Sequence, residues 1–275
     1  MNPIRCQIYP VDHPLAVLCI FHDAGYATEL YTELCVRLQN NKIFVYSLDF
    51  QEKNTNNTLD ISCSIAQLIE YTTQAISSID SLQIPNFAIG QGFGASIAMM
   101  LPRTWQSVFL LNTSHYTISS SILKKIVIFQ YIIQSSAKAS TTVDSLVQNS
   151  WCVVSKERHW ISSDPKFVDT YLQHPHCSHR LSIRTWKLVL DLQEIAIDKQ
   201  QLSCPIYIMG GTLDPITEYG THVHTVAQKL LTKKNLNTQK KLYHCGHNMI
   251  GEASIMTDIL SIVVEHSKKG ISASS

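Results

Sequence analysis

Short apolar runs alternate with longer segments of helical periodicity along most of this chain. The apolar runs predict strands at residues 15–21, 43–48, 87–89, 107–111, 205–209 and 241–243. Several are apolar at nearly every position, which is typical of strands buried on both faces of a parallel sheet. The segments between them predict helices at residues 28–39, 59–79, 93–101, 217–231 and 253–267. This alternation predicts an α/β fold with a mostly parallel, doubly wound sheet.

The alternation stops between residues 114 and 200, where no comparable strand occurs. This stretch holds only helical pieces, at residues 121–134 and 165–172, before the sheet resumes. An insertion of this length after one strand indicates a helical lid. We therefore expect a core of residues 1–113 and 201–267, an inserted lid of residues 114–200, and a disordered tail of residues 268–275.

Charge and composition narrow the class of protein. A net charge of +1 over 275 residues favours neither nucleic acid nor an anionic membrane as a partner. No secretory signal is visible at the N-terminus and no apolar stretch reaches the roughly 18 residues of a spanning helix. Eight cysteines without a C-x-x-C pair favour reduced thiols. These features predict a cytoplasmic protein with no membrane-spanning segment.

The segment FAIGQGFGAS at residues 87–96 has the pattern of a strand, a sharp turn and a helix. It resembles the nucleophile elbow G-x-S-x-G of α/β-hydrolases, with Gly92 where that pattern has serine. An ordinary glycine-rich turn or a phosphate-binding loop are the alternatives. A dinucleotide loop requires G-x-G-x-x-G and an acidic residue about 20 positions later, whereas this chain has its third glycine one place early and Asn112.

Four segments together resemble the lysophospholipase and monoacylglycerol lipase type of α/β-hydrolase, also called serine aminopeptidase-like hydrolases. They are FHDAG at residues 21–25, the elbow, a lid segment at residues 163–177, and the pair PIYIMGGTLDP at 205–215 and GHNMIGE at 246–252. The resemblance runs from Ala16 to Glu252. A weaker likeness to acyl thioesterases of the same fold covers the first hundred residues.

The resemblance implies a site at the strand ends. Asp214 and His247 correspond to the acid and the base of a catalytic triad, and Gly92 stands at the nucleophile position. The backbone N–H groups of Ala24 and Phe93 correspond to the oxyanion donors. The implied substrate is a small-molecule fatty acyl ester, such as a monoacylglycerol or a lysophospholipid, or another apolar ligand. No cofactor and no metal are expected.

Several residues have simpler alternative interpretations. Asp214 alone could cap a helix that begins near residue 217, and His247 alone could be a loop histidine. His244 competes with His247 for the role of base. The histidines at residues 174–179 and at 222 and 224 lack a recognised metal-ligand spacing, so we expect exposed side chains. Ser96 lies one helical turn past the elbow and is not expected to reach His247.

The absent serine dominates the functional interpretation. Removing a serine nucleophile costs on the order of 10⁶ in kcat, so the ester hydrolase is expected to be impaired. Gly92→Ser is expected to restore activity if only the nucleophile has been lost. Asp23, in place of the usual glycine of the oxyanion loop, is unfavourable there unless it points away. Adding Asp23→Gly is therefore expected to improve the restored enzyme.

Two further functions stay open at this point. One is a non-catalytic protein that binds an acyl group or small molecule in the retained pocket. The other uses His247 and Asp214 as a base without covalent catalysis, as lyase-like or oxygenase-like relatives of the fold do. The apolar lid helix at residues 121–133 either lines a channel over the elbow or packs into the core.

Overall fold

The computed structural model describes residues 4–55, 58–113, 118–145, 160–175, 177, 180–200, 202–232 and 237–272. The strands are β1 Arg5–Tyr9, β2 Ala16–Phe21, β3 Ile43–Asp49, β4 Glu52–Lys53, β5 Leu59–Asp60, β6 Asn86–Gln91, β7 Ser107–Leu111, β8 Ile206–Gly211 and β9 Thr238–Tyr243. The α-helices are α1 Thr32–Asn40, α2 Ile65–Ala75, α3 Phe93–Met100, α4 Ile118–Ile133, α5 Pro165–Gln173, α6 Ile183–Lys199, α7 Thr221–Thr232 and α8 Ala253–Ser272. Two 3₁₀ helices span Thr28–Tyr31 and Ser77–Leu82.

Seven strands form one twisted sheet in the order β1-β3-β2-β6-β7-β8-β9. Only β1 is antiparallel to its neighbour, and the other pairs are parallel. The central strands β2, β7 and β8 are buried at every position, because helices cover both faces of the sheet. The predicted α/β-hydrolase fold, with its mostly parallel doubly wound sheet, is confirmed.

Each face of the sheet has its own hydrophobic core. Helices α1 and α8 cover one face with residues such as Leu34, Leu38 and Ile259. Helices α2, α3, α6 and α7 cover the other face with side chains that include Leu192 and Val226. This arrangement exposes the loops at the carboxyl ends of the parallel strands, which is where α/β folds place their ligand sites.

Several local elements differ from the prediction. The edge strand β1 was not predicted, since its sequence RCQIY alternates too weakly. The helix predicted at residues 59–79 is wrong in its first part, where Leu59–Asp60 pairs with Glu52–Lys53 in a short hairpin. Helix α2 begins at Ile65 because Ser64 and Gln67 form a capping box. Helix α6 was not predicted.

Helix α6 lies within the range assigned to the lid but packs with the core. Leu188, Leu192 and Ala196 belong to the cluster beneath the sheet, and the helix contacts α3. The lid as a separate unit stays a prediction, and residues 114–117 and 146–159 of its range lie outside the described residues.

Helix α4 lies against α6 through buried Val127. Its remaining apolar side chains are largely outward-facing, with Phe129 62% and Ile132 75% exposed. Plain core packing of this helix, one of the two expectations, therefore fails for most of its apolar residues. Within the described ranges, no helix combines the length and the apolar character needed to cross a bilayer.

The C-terminal helix is longer than predicted. Helix α8 continues to Ser272, through residues that the sequence assigned to a disordered tail beginning at residue 268. Residues 273–275 lie outside the described part of the chain.

Candidate active site

The elbow is a tight turn between β6 and α3. Gly92 has φ of 51° and ψ of −110°, a combination that is strained for any residue with a side chain. Gly94 allows α3 to approach β2 closely, because a Cβ at this position would overlap the carbonyl of Phe21. The turn therefore aims the N–H groups at the start of α3 towards the loop that follows β2.

His247 and Asp214 meet at the carboxyl ends of β9 and β8. His247 Nδ1 lies 3.0 Å from Asp214 Oδ2, and both side chains are buried. Asp214 also accepts hydrogen bonds from Thr217 Oγ1 and from the N–H of Ile216, so it caps the local turn as well. The competing His244 is exposed and contacts Thr212 instead.

Asn112 was not identified from the sequence as a site residue. It follows β7 directly, and its side chain forms hydrogen bonds with residues at the ends of β8 and β9. Its side-chain N–H₂ donates to the carbonyl of His247 over 2.6 Å, and its Oδ1 accepts from the N–H of Gly211 at 2.9 Å. Gln91, the last residue of β6, donates to the same His247 carbonyl at 3.3 Å. A polar residue directly after an apolar strand beside the elbow was the signal available for Asn112.

Asp23 points into the site. Its Oδ1 accepts hydrogen bonds from the N–H groups of Ala24 at 2.8 Å and Phe93 at 2.7 Å. Its Oδ2 accepts from His247 Nε2 at 2.8 Å. The two predicted oxyanion donors and the predicted base therefore share one internal carboxylate. A Cβ at Gly92 would overlap that carboxylate, so the glycine provides the space that Asp23 occupies.

Buried polar residues hold the Asp23 loop in place. His22 Nε2 accepts from the N–H of Phe50 at 3.1 Å, which leaves Nδ1 to donate to the Asp23 carbonyl at 2.7 Å. Gln51 accepts from the N–H of Gly25 at 2.8 Å and donates to the carbonyl of Tyr26 at 3.0 Å. These hydrogen bonds hold the backbone on both sides of Asp23 and so position its carboxylate.

The electrostatics of this cluster favour a charged imidazole. Burial alone lowers the pKa of His247, but the facing carboxylates of Asp214 and Asp23 outweigh it and raise the pKa to about 10. Both ring nitrogens then carry protons, each directed at a carboxylate oxygen. The site at neutral pH is an imidazolium between two carboxylates, which is the opposite protonation state from that of a general base.

The free energy of unfolding is expected to fall as the pH rises towards the folded-state pKa of His247. The unfolded histidine has a pKa of about 6.5, so the stabilisation is complete below about pH 6.5. It is lost towards a pH of about 10, the folded-state pKa.

Urea denaturation between pH 6 and 10 measures this dependence of the free energy of unfolding on pH, and His247→Gln should remove the largest single part of it. His244→Gln, a matched exposed control, should not. An NMR titration placing the His247 ring near its unfolded pKa would contradict this assignment.

One cavity adjoins residues 26–29, directly after the Asp23 loop. It measures about 340 Å³ and is lined by residues that include Arg5, Asp49, Tyr26 and Gln51. Neither His247, Asp214 nor helix α4 contributes to this lining. The Tyr26 ring, which lines this cavity, lies 6.0 Å from the ring of His247.

Comparison with known proteins identifies the family of this chain. A family model described as serine aminopeptidase, S33 (Hydrolase_4), matches residues 12–249. The chain belongs to the serine aminopeptidase S33 family. Among curated protein sequences, none matches it significantly.

Solved structures resemble this S33 family member over nearly their whole length. A highly thermostable carboxyl esterase from Bacillus coagulans, in complex with glycerol, has a TM-score of 0.83 and 19% identity, covering 98% of this chain and 94% of its own. A monoacylglycerol lipase from Paleococcus ferrophilus has a TM-score of 0.69 and 17% identity, with coverages of 96% and 99%. A monoglyceride lipase from Saccharomyces cerevisiae has a TM-score of 0.69 and 14% identity, with coverages of 97% and 92%. At these identities the likeness establishes the fold.

The structure brings some of the residues singled out from the sequence to the site and leaves others away from it. Gly92, Asp214, His247, Ala24 and Phe93 converge on one point, whereas Ser96 is buried within α3. Within the described ranges, no group of three or more histidine, cysteine or acidic side chains is arranged to hold a metal ion. His222, expected to be exposed, is instead buried against Glu218, and burial lowers its pKa. His176 and His179 lie outside the described residues.

Proposed function

We propose that this S33 family protein is a fatty acyl ester hydrolase of the lysophospholipase and monoacylglycerol lipase type in architecture, but impaired as a serine hydrolase. Gly92 stands at its nucleophile position. Asp214 and His247 are the remaining triad members, and the N–H groups of Ala24 and Phe93 are the oxyanion donors. The observation that carries the proposal is the Asp23 carboxylate, which contacts both donors and His247 at once.

The roles follow from the chemistry of acyl transfer. A serine Oγ attacks the acyl carbonyl, a neutral histidine removes its proton, an aspartate orients the imidazole, and two N–H groups stabilise the oxyanion. Asp214 lies correctly for the orienting role, with its Oδ2 3.0 Å from His247 Nδ1. Gly92 has no oxygen to offer, so the covalent step has no serine nucleophile.

Asp23 is a second obstacle to ester hydrolysis, independent of the missing serine. Each oxyanion donor is worth roughly 10² to 10³ in kcat, and here both are already bonded to Asp23. The imidazole Nε2 that would receive the serine proton donates to the same carboxylate. An ester carbonyl can enter the oxyanion position only by displacing the Asp23 carboxylate, which holds three hydrogen bonds.

The substrate class rests on family membership and on the character of the lid region. Structural relatives include a glycerol-bound carboxyl esterase and two monoacylglycerol lipases. Helix α5 reaches the site through Tyr171, whose ring lies 5.0 Å from Tyr26. The outward apolar side chains of α4, including Phe129 and Ile132, belong to the same inserted region. A lid with apolar surface suits esters of long acyl chains.

We also propose a cytoplasmic location on the basis of the thiols. Burial raises the pKa of Cys35 and of Cys245 to about 12, so both stay protonated and unreactive. Buried, protonated thiols suit a reducing compartment.

Active-site labelling tests the proposal directly. The purified protein is expected to resist a fluorophosphonate probe and to show negligible turnover of short p-nitrophenyl esters, because both reactions require an activated serine. The positive control is the double variant Gly92→Ser/Asp23→Gly in the same buffer. Rapid stoichiometric labelling of the unaltered chain would overturn the proposal, and peptide mapping of the label would identify the serine responsible.

A further inference from the structure

The backbone of His247 is held from two sides. Its N–H donates to the carbonyl of Trp160, in the segment that leads into α5, at 2.6 Å. Its carbonyl accepts from the side-chain amides of Asn112 at 2.6 Å and of Gln91 at 3.3 Å. With the backbone fixed in this way, the direction of the ring depends only on the side-chain torsion angles χ1 and χ2. The partners of the backbone therefore decide where the imidazole can point.

The amide of Asn112 has one orientation that satisfies all of its partners. The side chain is fully buried, and its Oδ1 accepts from the N–H of Gly211 at 2.9 Å. Its Nδ2 faces two carbonyl oxygens, at 2.6 Å in His247 and at 3.4 Å in Gly246. A rotated amide would set its oxygen against both carbonyls and its N–H₂ against the N–H of Gly211. The donor towards His247 is therefore fixed by its surroundings.

Asn112 also joins the loops that carry the acid and the base of the site. Gly211 ends β8, three residues before Asp214, and His247 lies in the loop after β9. A Cβ at Gly211 would overlap the carbonyl of Gly246, so the two loops are in close backbone contact. One buried amide thus sets the position of the histidine loop relative to the strand that leads to the aspartate.

We propose that Asn112 is a positioning residue for His247: by holding the His247 carbonyl, it keeps Nδ1 directed at Asp214 and Nε2 directed at the place that Asp23 occupies. Its own hydrogen bonds are to backbone groups of the strand-end loops, so it acts through the histidine. The inference rests on the proposed function in treating His247 as the base of the site. It assigns a role to a residue outside the triad and the oxyanion donors.

The two carboxylates that face His247 make its position measurable. Asp214 bonds to Nδ1 at 3.0 Å and Asp23 to Nε2 at 2.8 Å, and both raise the pKa of the ring. They belong to different loops, so a histidine that shifts or turns cannot keep both bonds short. Without Asn112, only the longer bond from Gln91 would remain of the two side-chain bonds to the His247 carbonyl. The pKa of His247 should then fall towards its ordinary value.

NMR of the ¹⁵N-labelled His247 ring tests this role. In Asn112→Gly, a change that suits the positive φ of 43° at this position, the pKa of His247 should fall by about one pH unit or more, a tenfold loss of proton affinity. Ser107→Ala is the matched control, because Ser107 is equally buried at the opposite end of β7 and bonds to His266. It should lower the melting temperature but leave the pKa of His247 unchanged. An unchanged pKa in Asn112→Gly, or an equal fall in both variants, would overturn the inference.

The unaltered chain gives a result that needs no variant. The side-chain N–H protons of Asn112 should exchange with solvent on the order of 10²-fold more slowly than those of the exposed Asn40. The Nδ2 signal should also shift with pH at the pKa of His247, because the two residues are directly bonded. Rapid exchange, or a signal indifferent to the titration of His247, would show that the amide does not hold the histidine.

Activity supplies a further measurement in the Gly92→Ser/Asp23→Gly background. Adding Asn112→Gly should lower kcat by about 10-fold or more with little change in KM, because the histidine that transfers the proton is displaced while the contacts that bind the ester are unchanged. A loss confined to KM would contradict a positioning role. If the background itself shows no esterase activity, the proposed function fails, and the NMR measurements decide the role of Asn112 independently.

Discussion

Esterase activity is expected to appear in the double variant Gly92→Ser/Asp23→Gly and in neither single variant. Gly92→Ser alone introduces a Cβ where the Asp23 carboxylate lies, and that carboxylate still occupies both N–H donors and His247. Asp23→Gly alone frees the donors but supplies no nucleophile. The double variant should exceed either single one by at least about 10³-fold in kcat/KM, within the roughly 10⁶-fold that a serine nucleophile contributes.

The measurement uses monoacylglycerols of several chain lengths together with p-nitrophenyl esters. Adding His247→Gln to the double variant is the matched control and should abolish the gain without removing the new serine. This outcome differs from the sequence-level expectation, in which Gly92→Ser alone restores activity. Equal activity of Gly92→Ser and the double variant would show that Asp23 leaves the donors readily, contrary to the geometry.

Gly92→Ala is expected to destabilise the fold far more in the presence of Asp23 than in its absence. The positive φ of 51° at Gly92 costs a side-chain-bearing residue roughly 1–3 kcal/mol. Moving the Asp23 carboxylate aside also costs the equivalent of one hydrogen bond to a charged group, about 1.5–3 kcal/mol. The combined loss in free energy of unfolding should be roughly 3–6 kcal/mol, and in an Asp23→Gly background only the backbone strain of about 1–3 kcal/mol should remain.

Urea denaturation of the four proteins in this double-mutant cycle measures the coupling between positions 23 and 92. Gly25→Ala is the matched control, because Gly25 also has a positive φ, 84°, but nothing lies within 4 Å of an added Cβ. It should therefore show backbone strain without steric overlap. Additive effects of the changes at positions 23 and 92 would mean that the carboxylate does not occupy the space of a residue-92 side chain.

Local patterns of apolar and polar residues were sufficient to predict most strands of the central sheet. The apolar runs predicted β2, β3, β6, β7 and β8 to within a few residues, because these strands are largely buried and the length of each apolar run reflects that burial. Only the last residues of β9 were predicted, since most of that edge strand is exposed. Elements stabilised by partners rather than by their own pattern were missed. The hairpin strand Leu59–Asp60 is one example: Asp60 accepts hydrogen bonds from Ser182 and Arg184 at the start of α6, far away along the chain.

The order of the elements also predicted which loops meet. Parallel strands share one carboxyl edge, so the elbow, Asp214 and His247 were expected to lie near each other. The sequence alone could not decide between the alternative roles of Asp214 and His247, or between His247 and His244 as the base. The distance of 3.0 Å between Asp214 and His247, and the exposed position of His244, distinguish the two histidines only in three dimensions.

By itself, the sequence determined the fold, the glycine at the elbow and the presence of an acidic residue in the loop after β2. Only the tertiary structure decided where that acidic side chain points. The direction of Asp23 depends on the N–H of Phe93 and the ring of His247, which lie 70 and 224 positions away in the chain. The loop after β2, the elbow and the loop after β9 must come together before the donors surround the Asp23 carboxylate. Gly92 has no side chain, and this leaves the space that the carboxylate fills.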